Sequence, residues 1–321
     1  MSTKPVASLS LDLDNLWSYL KVRGDASWEA LPSYLDVVVP RVLGFLDDLD
    51  LAITVFVVGQ DAALPQHADL LRAVADAGHE VGNHSFSHEP WMHRYDEEQV
   101  LREVADAEDA IAAATGQRPT GFRGPGYSLS PATLRVLAER GYQYDASTLP
   151  TWIGPAARAW YFRTSGMSPA ERRQREALFG HFKDALRPNG PYRWELDEHA
   201  LVELPVTTMP FLRVPIHLSY VLHLHGISPG LARRYFSAAL RLCRLVGVGP
   251  SILLHPLDFV DGRDAAALEF FPGMGLESSA KLDVVGRSLQ ELSARFDVVP
   301  TGRHVESLGA QALRPVSPSP S

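Results

Sequence analysis

The sequence predicts an α/β fold built on a parallel sheet, open or closed into a barrel. Three observations carry that expectation. Strand-like and helix-like segments alternate through the first half of the chain. The run AITVFVVG (52–59) is continuously apolar and β-branched, as in strands buried on both faces. Polar residues recur at the C-terminal ends of the strand-like segments, at Asp12, Asp14, His84, Arg123 and Asp145. In open α/β sheets and in barrels, that end of the sheet collects the chemistry.

The elements follow in order. VASLSLDL (6–13) alternates and predicts the first strand. Residues 35–49 predict a helix with Val38, Val42, Leu43 and Leu46 on one face. After the strand at 52–59 come a helix over 66–77 and a strand at HEVGNHS (79–85). A long helix over 97–114 carries the apolar stripe Val100, Leu101, Val104, Ala107 and Ile111. PTGFRGP (119–125) reads as a strand. SPATLRVLAERG (130–141) reads as a helix capped by Ser130 and stopped at Gly141, with YQYDAS (142–147) the next strand. Residues 150–215 break the rhythm with aromatic and basic residues and read as an inserted lid on the sheet. A helix over 229–246, a strand at SILLHPLD (251–258), a helix over 280–295 and DVVPT (297–301) complete a single domain over 1–310. The Pro/Ser-rich stretch 311–321 reads as a disordered tail.

Composition narrows the function. A chain of 321 residues that is 45% hydrophobic can bury a full core. Its net charge of −8 disfavours nucleic acid as a partner. Cys243, the single cysteine, sits in the apolar helical run LRLCRLVG and is expected to be buried and inert. The N-terminus shows no secretory core and no run reaches membrane-spanning length, so a cytoplasmic protein is expected.

Several residues could carry chemistry. Asp12 and Asp14 lie two apart on a strand and so share a face. Two such carboxylates are costly to bury unless they bind metal, pair with cations or hold a proton; the alternative is a solvated turn or helix cap. His84 and His88, four apart in HSFSH, supply two imidazoles. Two histidines and an aspartate leave positions open for water and substrate, which is the catalytic zinc pattern and not the closed structural one. Alone, such a pair is more often two loop histidines than a metal site. Arg123 in GFRGPGY could orient a carboxylate, and the Gly-Pro-Gly turn could offer a backbone N–H to a developing oxyanion. His255, ending an apolar strand, reads as a general acid or as a satisfied core histidine.

In this order the stretches resemble the five motifs of the polysaccharide deacetylase family, the NodB-homology or carbohydrate esterase family 4 fold. SLDLDN stands where typical members read Thr-Phe-Asp-Asp-Gly, and its spaced Asp-x-Asp resembles the intracellular branch. HSFSH matches the second motif and RGPGY the third, YDAS loosely matches the fourth, and LLH matches the fifth. The resemblance implies a distorted (β/α)7-type barrel with the lid at 150–215. It implies a metal-dependent hydrolase that removes an acetyl or formyl group from an aminosugar. Asp14, His84 and His88 would hold one divalent metal, zinc by default, with cobalt, nickel or manganese also fitting. Asp12 would be the general base, oriented by Arg123; the Gly126 N–H would face the oxyanion; His255 would be the general acid, tuned by Asp145. Two other functions stay open: a cyclic imide or ureide hydrolase of allantoinase type, and a non-catalytic carbohydrate-binding relative.

Two features bear on substrate. Asn15 replaces the motif's glycine, and Trp17 and Tyr19 follow it, which predicts a bulky rim suited to a small or single-sugar head group. The apolar stretch 209–246 carries Arg213, Arg233, Arg234, Arg241 and Arg244. Such a surface could seat on anionic lipid, so a lipid-linked aminosugar and peripheral contact with the inner membrane face are expected, the alternative being a packed helix with solvated arginines. Homo-oligomerisation stays open.

Overall fold

The computed structural model describes residues 4–153, 186–196, 199–271, 273–309 and 313–318. Ten strands form one sheet: β1 (Val6–Asp12), β2 (Thr54–Val57), β3 (Glu80–Asn83), β4 (Gly121–Phe122), β5 (Tyr144–Asp145), β6 (Tyr192–Glu195), β7 (Ala200–Glu203), β8 (Ser251–Leu254), β9 (Asp297–Val299) and β10 (Pro315–Val316). Seven of them run parallel in the order β8-β1-β2-β3-β4-β5-β7. No ladder joins the outer two. Instead Thr207, just past β7, donates its N–H to Ser251 O at 2.9 Å, and Ser251 N–H returns to Thr207 Oγ1 at 2.8 Å. Those two bonds bring the ends of the row together as a distorted (β/α)7-type barrel. β9 pairs beside the start of β1.

Among the described residues the α-helices are α1 (Leu16–Arg23), α2 (Leu35–Asp47), α3 (Gly59–Ala62), α4 (Ala68–Asp76), α5 (Glu97–Thr115), α6 (Pro131–Glu139), α7 (Leu218–Ile227), α8 (Pro229–Leu245), α9 (Ser278–Arg295) and α10 (Thr301–Leu308). Their limits follow local chemistry. Asp96 and Gln99 form a reciprocal capping box at the start of α5, and Gly116, in the left-handed region at φ 77°, ends it. Ser130 caps α6 by accepting Thr133 N–H. The main core joins β1, β2 and β8 to α2, α4, α8 and α9, and a second cluster packs α5 and α6 on β4 and β6. The barrel interior is narrow. A Cβ at Gly121 would lie 1.9 Å from the Tyr144 ring, and one at Gly82 would lie 2.5 Å from that of Phe56. Only glycine leaves room for these two rings, which meet edge-on at 6.5 Å.

Two stretches differ from the sequence expectation. Nearly half of the predicted lid, residues 154–185, lies outside the described residues. The later part of 150–215 is sheet: β6 and β7 form an antiparallel hairpin, and β7 continues the parallel row beside β5. Aromatic Tyr192 and Trp194 alternate inward there, a two-residue period that the unusual composition hid. The tail also departs from disorder. Arg193 N–H donates to Arg314 O, and β10 pairs with β6, with Val316 packed on the second core. Proline is tolerated because β10 is an edge strand. Cys243 is buried, its thiol pushed up to about 12 by burial, and so is inert as expected.

Candidate active site

The parallel strands all present their C-terminal ends to one side of the barrel. Asp12 ends β1, His84 follows β3, Arg123 follows β4, Asp145 ends β5 and His255 follows β8. Asp14 lies two residues past β1, yet Leu13 N–H still bonds Phe56 O at 2.9 Å, so the strand alternation carries through to it.

Asp14 and the two histidines of HSFSH converge. His88 Nε2 lies 2.9 Å and His84 Nε2 3.3 Å from the same oxygen of Asp14. One ligand atom from each of the three lies within 4.8 Å of the others, and all three residues are buried. Burial alone would raise the Asp14 carboxyl, but the charges of His88 and His84 and their hydrogen bonds outweigh it and hold it well below the usual range. His84 Nδ1 lies 2.6 Å from Arg123 O, which fixes Nδ1 as a donor and turns Nε2 to Asp14, where it would give its lone pair to a metal ion in place of a proton. These donors, a carboxylate and two imidazoles, fit a divalent transition ion.

The loop bearing the histidines is held by residues the sequence did not single out. Glu103 on α5 accepts the N–H groups of Phe86 and Ser87 at 3.0 and 2.8 Å, and also the Ser87 hydroxyl. Asn83 accepts Ser85 N–H and donates to Val104 O and Tyr142 Oη. Ser85 and His88 both adopt positive φ, 62° and 48°, a conformation that needs such support. Trp17 stands edge-on to His88 with centroids 6.3 Å apart and donates Nε1–H to buried Asp61. Asn15 is buried as well: it caps α1 and donates to Asp61 and Ser33. So Asn15 and Trp17 back the site instead of forming an exposed rim. Tyr19 is the part of that stretch whose hydroxyl lies in the field of Asp14, Tyr34, Asp258 and Asp12.

Arg123 is fully buried. It donates one N–H to Asp12 at 2.7 Å and to Ser10 Oγ at 2.9 Å, and Nε–H to Ala146 O at 2.9 Å. Its guanidinium stacks 4.3 Å from the Phe56 ring centre. The contact with Asp12 is a single bond and not the bidentate fork. Gly126 sits exposed at φ 58° in the Pro125–Tyr127 turn, and the following amides of Tyr127 and Ser128 are bonded to Gly124 O and Pro125 O.

His255 and Asp145 belong to separate networks. Ser219 on α7 lies 3.1 Å from His255 Nδ1 and donates to Asp258 at 2.7 Å; Asp258 also accepts His255 N–H at 2.8 Å. Burial raises the Asp258 carboxyl, with His255, Ser219 and Lys281 opposing. Asp145 instead accepts Ser147 Oγ–H at 2.5 Å and stands beside Glu203, its register partner across β5 and β7, with burial raising its carboxyl. Glu203 also accepts Thr148 and Trp194 N–H groups, and burial then Asp145 push its carboxyl well above the usual range. The only hint of Asp258 in the sequence is its place three residues after His255; Ser219 and Glu203 gave none.

The arginines of 209–246 split. Arg213 is partly buried and donates to Arg187 O at 3.1 Å. Arg233, Arg234, Arg241 and Arg244 are exposed on α8, beside exposed Leu231 and Leu245. Among the described residues no helix is long and apolar enough to cross a membrane.

Comparison with known proteins gives a consistent picture. Residues 26–144 match the family model described as polysaccharide deacetylase. A peptidoglycan deacetylase of Helicobacter pylori is 31% identical over 117 residues, 36% of this chain and 38% of that protein. A peptidoglycan deacetylase-like protein of Gibberella zeae is 31% identical over 113 residues, 34% of this chain and 32% of that one. The chain thus matches less than two fifths of the length of these relatives. Among solved structures, a Mycobacterium smegmatis protein described provisionally as a polysaccharide deacetylase superposes with a TM-score of 0.64 at 20% identity, covering 100% of this chain and 96% of that one. An allantoinase superposes with a TM-score of 0.55 at 15% identity, covering 96% and 90%. Both likenesses are of fold.

Proposed function

We propose, starting from the match of residues 26–144 to the polysaccharide deacetylase family model, that the chain is a metal-dependent amidohydrolase removing an acetyl or formyl group from an N-acylated aminosugar. The observation that carries this reading is the convergence of Asp14, His84 and His88 within 4.8 Å, beside an Asp12 held by a buried arginine. The three would hold one divalent ion, with zinc the first choice for this donor set. Such an ion, when bound, polarises the amide carbonyl and acidifies a water.

The chain's own residues supply the rest. Asp12 accepts the proton of the attacking water, and Arg123 keeps its carboxylate in place. The exposed Gly126 N–H donates to the oxyanion as the carbonyl becomes tetrahedral. His255, oriented by Ser219 and Asp258, gives a proton to the departing nitrogen.

The arginines and exposed leucines of α8 support a substrate presented on an anionic lipid carrier, with the protein peripheral at the inner membrane face. Metal analysis joined to acetate and formate assays tests the reading. About one divalent ion per chain, with acid released from N-acylated aminosugars, is the expected result. Ring opening of a cyclic imide without such release, or sugar binding without turnover, would replace it. Indifference to anionic liposomes, with equal rates on soluble and lipid-linked sugars, would remove the lipid part alone.

A further inference from the structure

A second buried imidazole stands beside the acid. His217 immediately precedes α7, the helix that also supplies Ser219. It is 7% exposed. Its ring meets Tyr220 edge-on at 4.6 Å and lies 5.6 Å from the His255 ring, tilted by 66°. The charges that reach it are those of His255 and Arg123, which places it on the reaction side of the barrel. Its Nδ1 is buried and, among the described residues, has no hydrogen-bond partner.

The two imidazoles have unequal surroundings. His255 has the Ser219–Asp258 relay behind it. His217 instead faces the Tyr220 ring, with His255 and Arg123 beside it. Burial first, then His255 and Arg123, hold it well below the usual histidine value. A neutral imidazole has one donor and one acceptor nitrogen, which suits a hydroxyl or amide, and it is not the protonated form that a general acid needs. Pairs of titratable groups pushed apart by their environments divide the work of a site. A buried nitrogen without a partner is costly in the free protein, so retaining it there favours a ligand group that satisfies it.

We propose that His217 is a substrate-binding residue of this site, its unpartnered ring nitrogen taking a hydroxyl or amide group of the sugar next to the scissile bond. The inference rests on the amidohydrolase reading and deepens it: a polar contact beside the acid selects a hydroxyl-rich aminosugar over a bare amide or ester.

The experiment compares metal-loaded wild-type protein with His217→Phe and His217→Gln, on an N-acetylated aminosugar and on 4-nitrophenyl acetate, which offers no sugar hydroxyl. The Phe variant keeps the edge contact with Tyr220 and loses both nitrogens. It should raise KM for the sugar roughly tenfold, the size of one lost hydrogen bond, with kcat and its pH profile in place. Ester hydrolysis should be unchanged, and the Gln variant should recover part of the KM. An unchanged KM would overturn the proposal. So would an equal loss on both substrates with a displaced pH profile, which would make His217 a positioning residue for His255. Melting curves run in parallel; if the Phe variant unfolds early, His217→Asn repeats the comparison. Wild-type protein that cleaves the ester and no N-acylated sugar would sink the functional reading, and the subsite with it.

Discussion

Glu103→Ala tests how the histidine loop is held. Glu103 projects from α5 and accepts two backbone N–H groups and one hydroxyl from Phe86 and Ser87, between His84 and His88. Ser85 and His88 at positive φ each cost roughly 1–2 kcal/mol. Hydrogen bonds to a charged group return about 1.5–3 kcal/mol each, so three of them outweigh that strain. Alanine removes them and leaves two amides with their partner gone. These bonds are only part-buried, so water replaces some of them and the folded state should lose about 2–4 kcal/mol, less than their sum, and the melting temperature several degrees. Losing an outer support of this kind typically costs 10–100-fold in metal affinity, because the imidazoles no longer start in place. Competition with a chelating dye measures the affinity, and thermal melts with and without chelator measure the stability. A metal affinity equal to wild type in a destabilised variant would refute the reasoning: the loop geometry would then come from Asn83 and Trp17 and not from Glu103.

Three further outcomes follow from the structure. Asp12→Asn should retain the metal and lose about 10²–10⁴-fold in turnover, whereas His84→Ala should lose both; elemental analysis beside acetate release reads the difference, and equal metal loss in the two would overturn the division of roles. Lys281→Met should destabilise the turn after β8, because the buried ammonium donates to Leu257 O and Val260 O at 2.8 and 2.6 Å; the expected cost is roughly 1–3 kcal/mol for each carbonyl left bare, read by urea unfolding. His304 is held down to about 4 by burial next to Ser8, below the ~6.5 of an unfolded chain, so the folded state binds that proton less readily. The stability it contributes is present above about pH 6.5 and is lost as pH falls towards about 4, with a full span of about 3 kcal/mol. His304→Asn should flatten that fall in urea midpoints taken across the window.

The parts of the molecule legible in sequence are those whose signal is local. β2 is four consecutive buried residues, and the sequence shows it as an uninterrupted apolar run. The cap at Ser130 and the stop at Gly141, left-handed at φ 77°, are single-residue signals with one physical cause each. Asp14 and the His84–His88 pair were readable because strand ends in a parallel barrel share one rim, so two stretches distant in sequence point to one place. β6 and β7 were not readable, since a short hairpin rich in aromatic and charged residues has the composition of a loop until its partners are known. The residues that hold the site, Glu103, Asp61, Ser219 and Glu203, sit mid-helix or in ordinary strands and turns. Their roles come only from what crosses over to meet them.

Asp145 is where local reading and geometry part most clearly, and the difference can be measured. In sequence it is a strand-end aspartate assigned to the acid. In the structure it accepts the Ser147 hydroxyl with Glu203 alongside across the sheet, and Ser147 Oγ in turn accepts Gly124 N–H at 2.8 Å. That chain of contacts ends at the Gly124–Tyr127 turn and at the field of Arg123, on the side of the base and the oxyanion. Asp258 is the carboxylate bonded to His255 and Ser219. A negative charge beside an imidazole favours its protonated form, so Asp258→Asn should move the limb of the kcat–pH profile set by the acid to lower pH. Asp145→Asn should lower kcat with that limb in place, because it loosens the turn without touching the acid. The two profiles, taken on one substrate, decide the matter. A displaced limb in Asp145→Asn and none in Asp258→Asn would return the tuning role to Asp145 and would mean that the Ser219 bridge carries no charge coupling to His255.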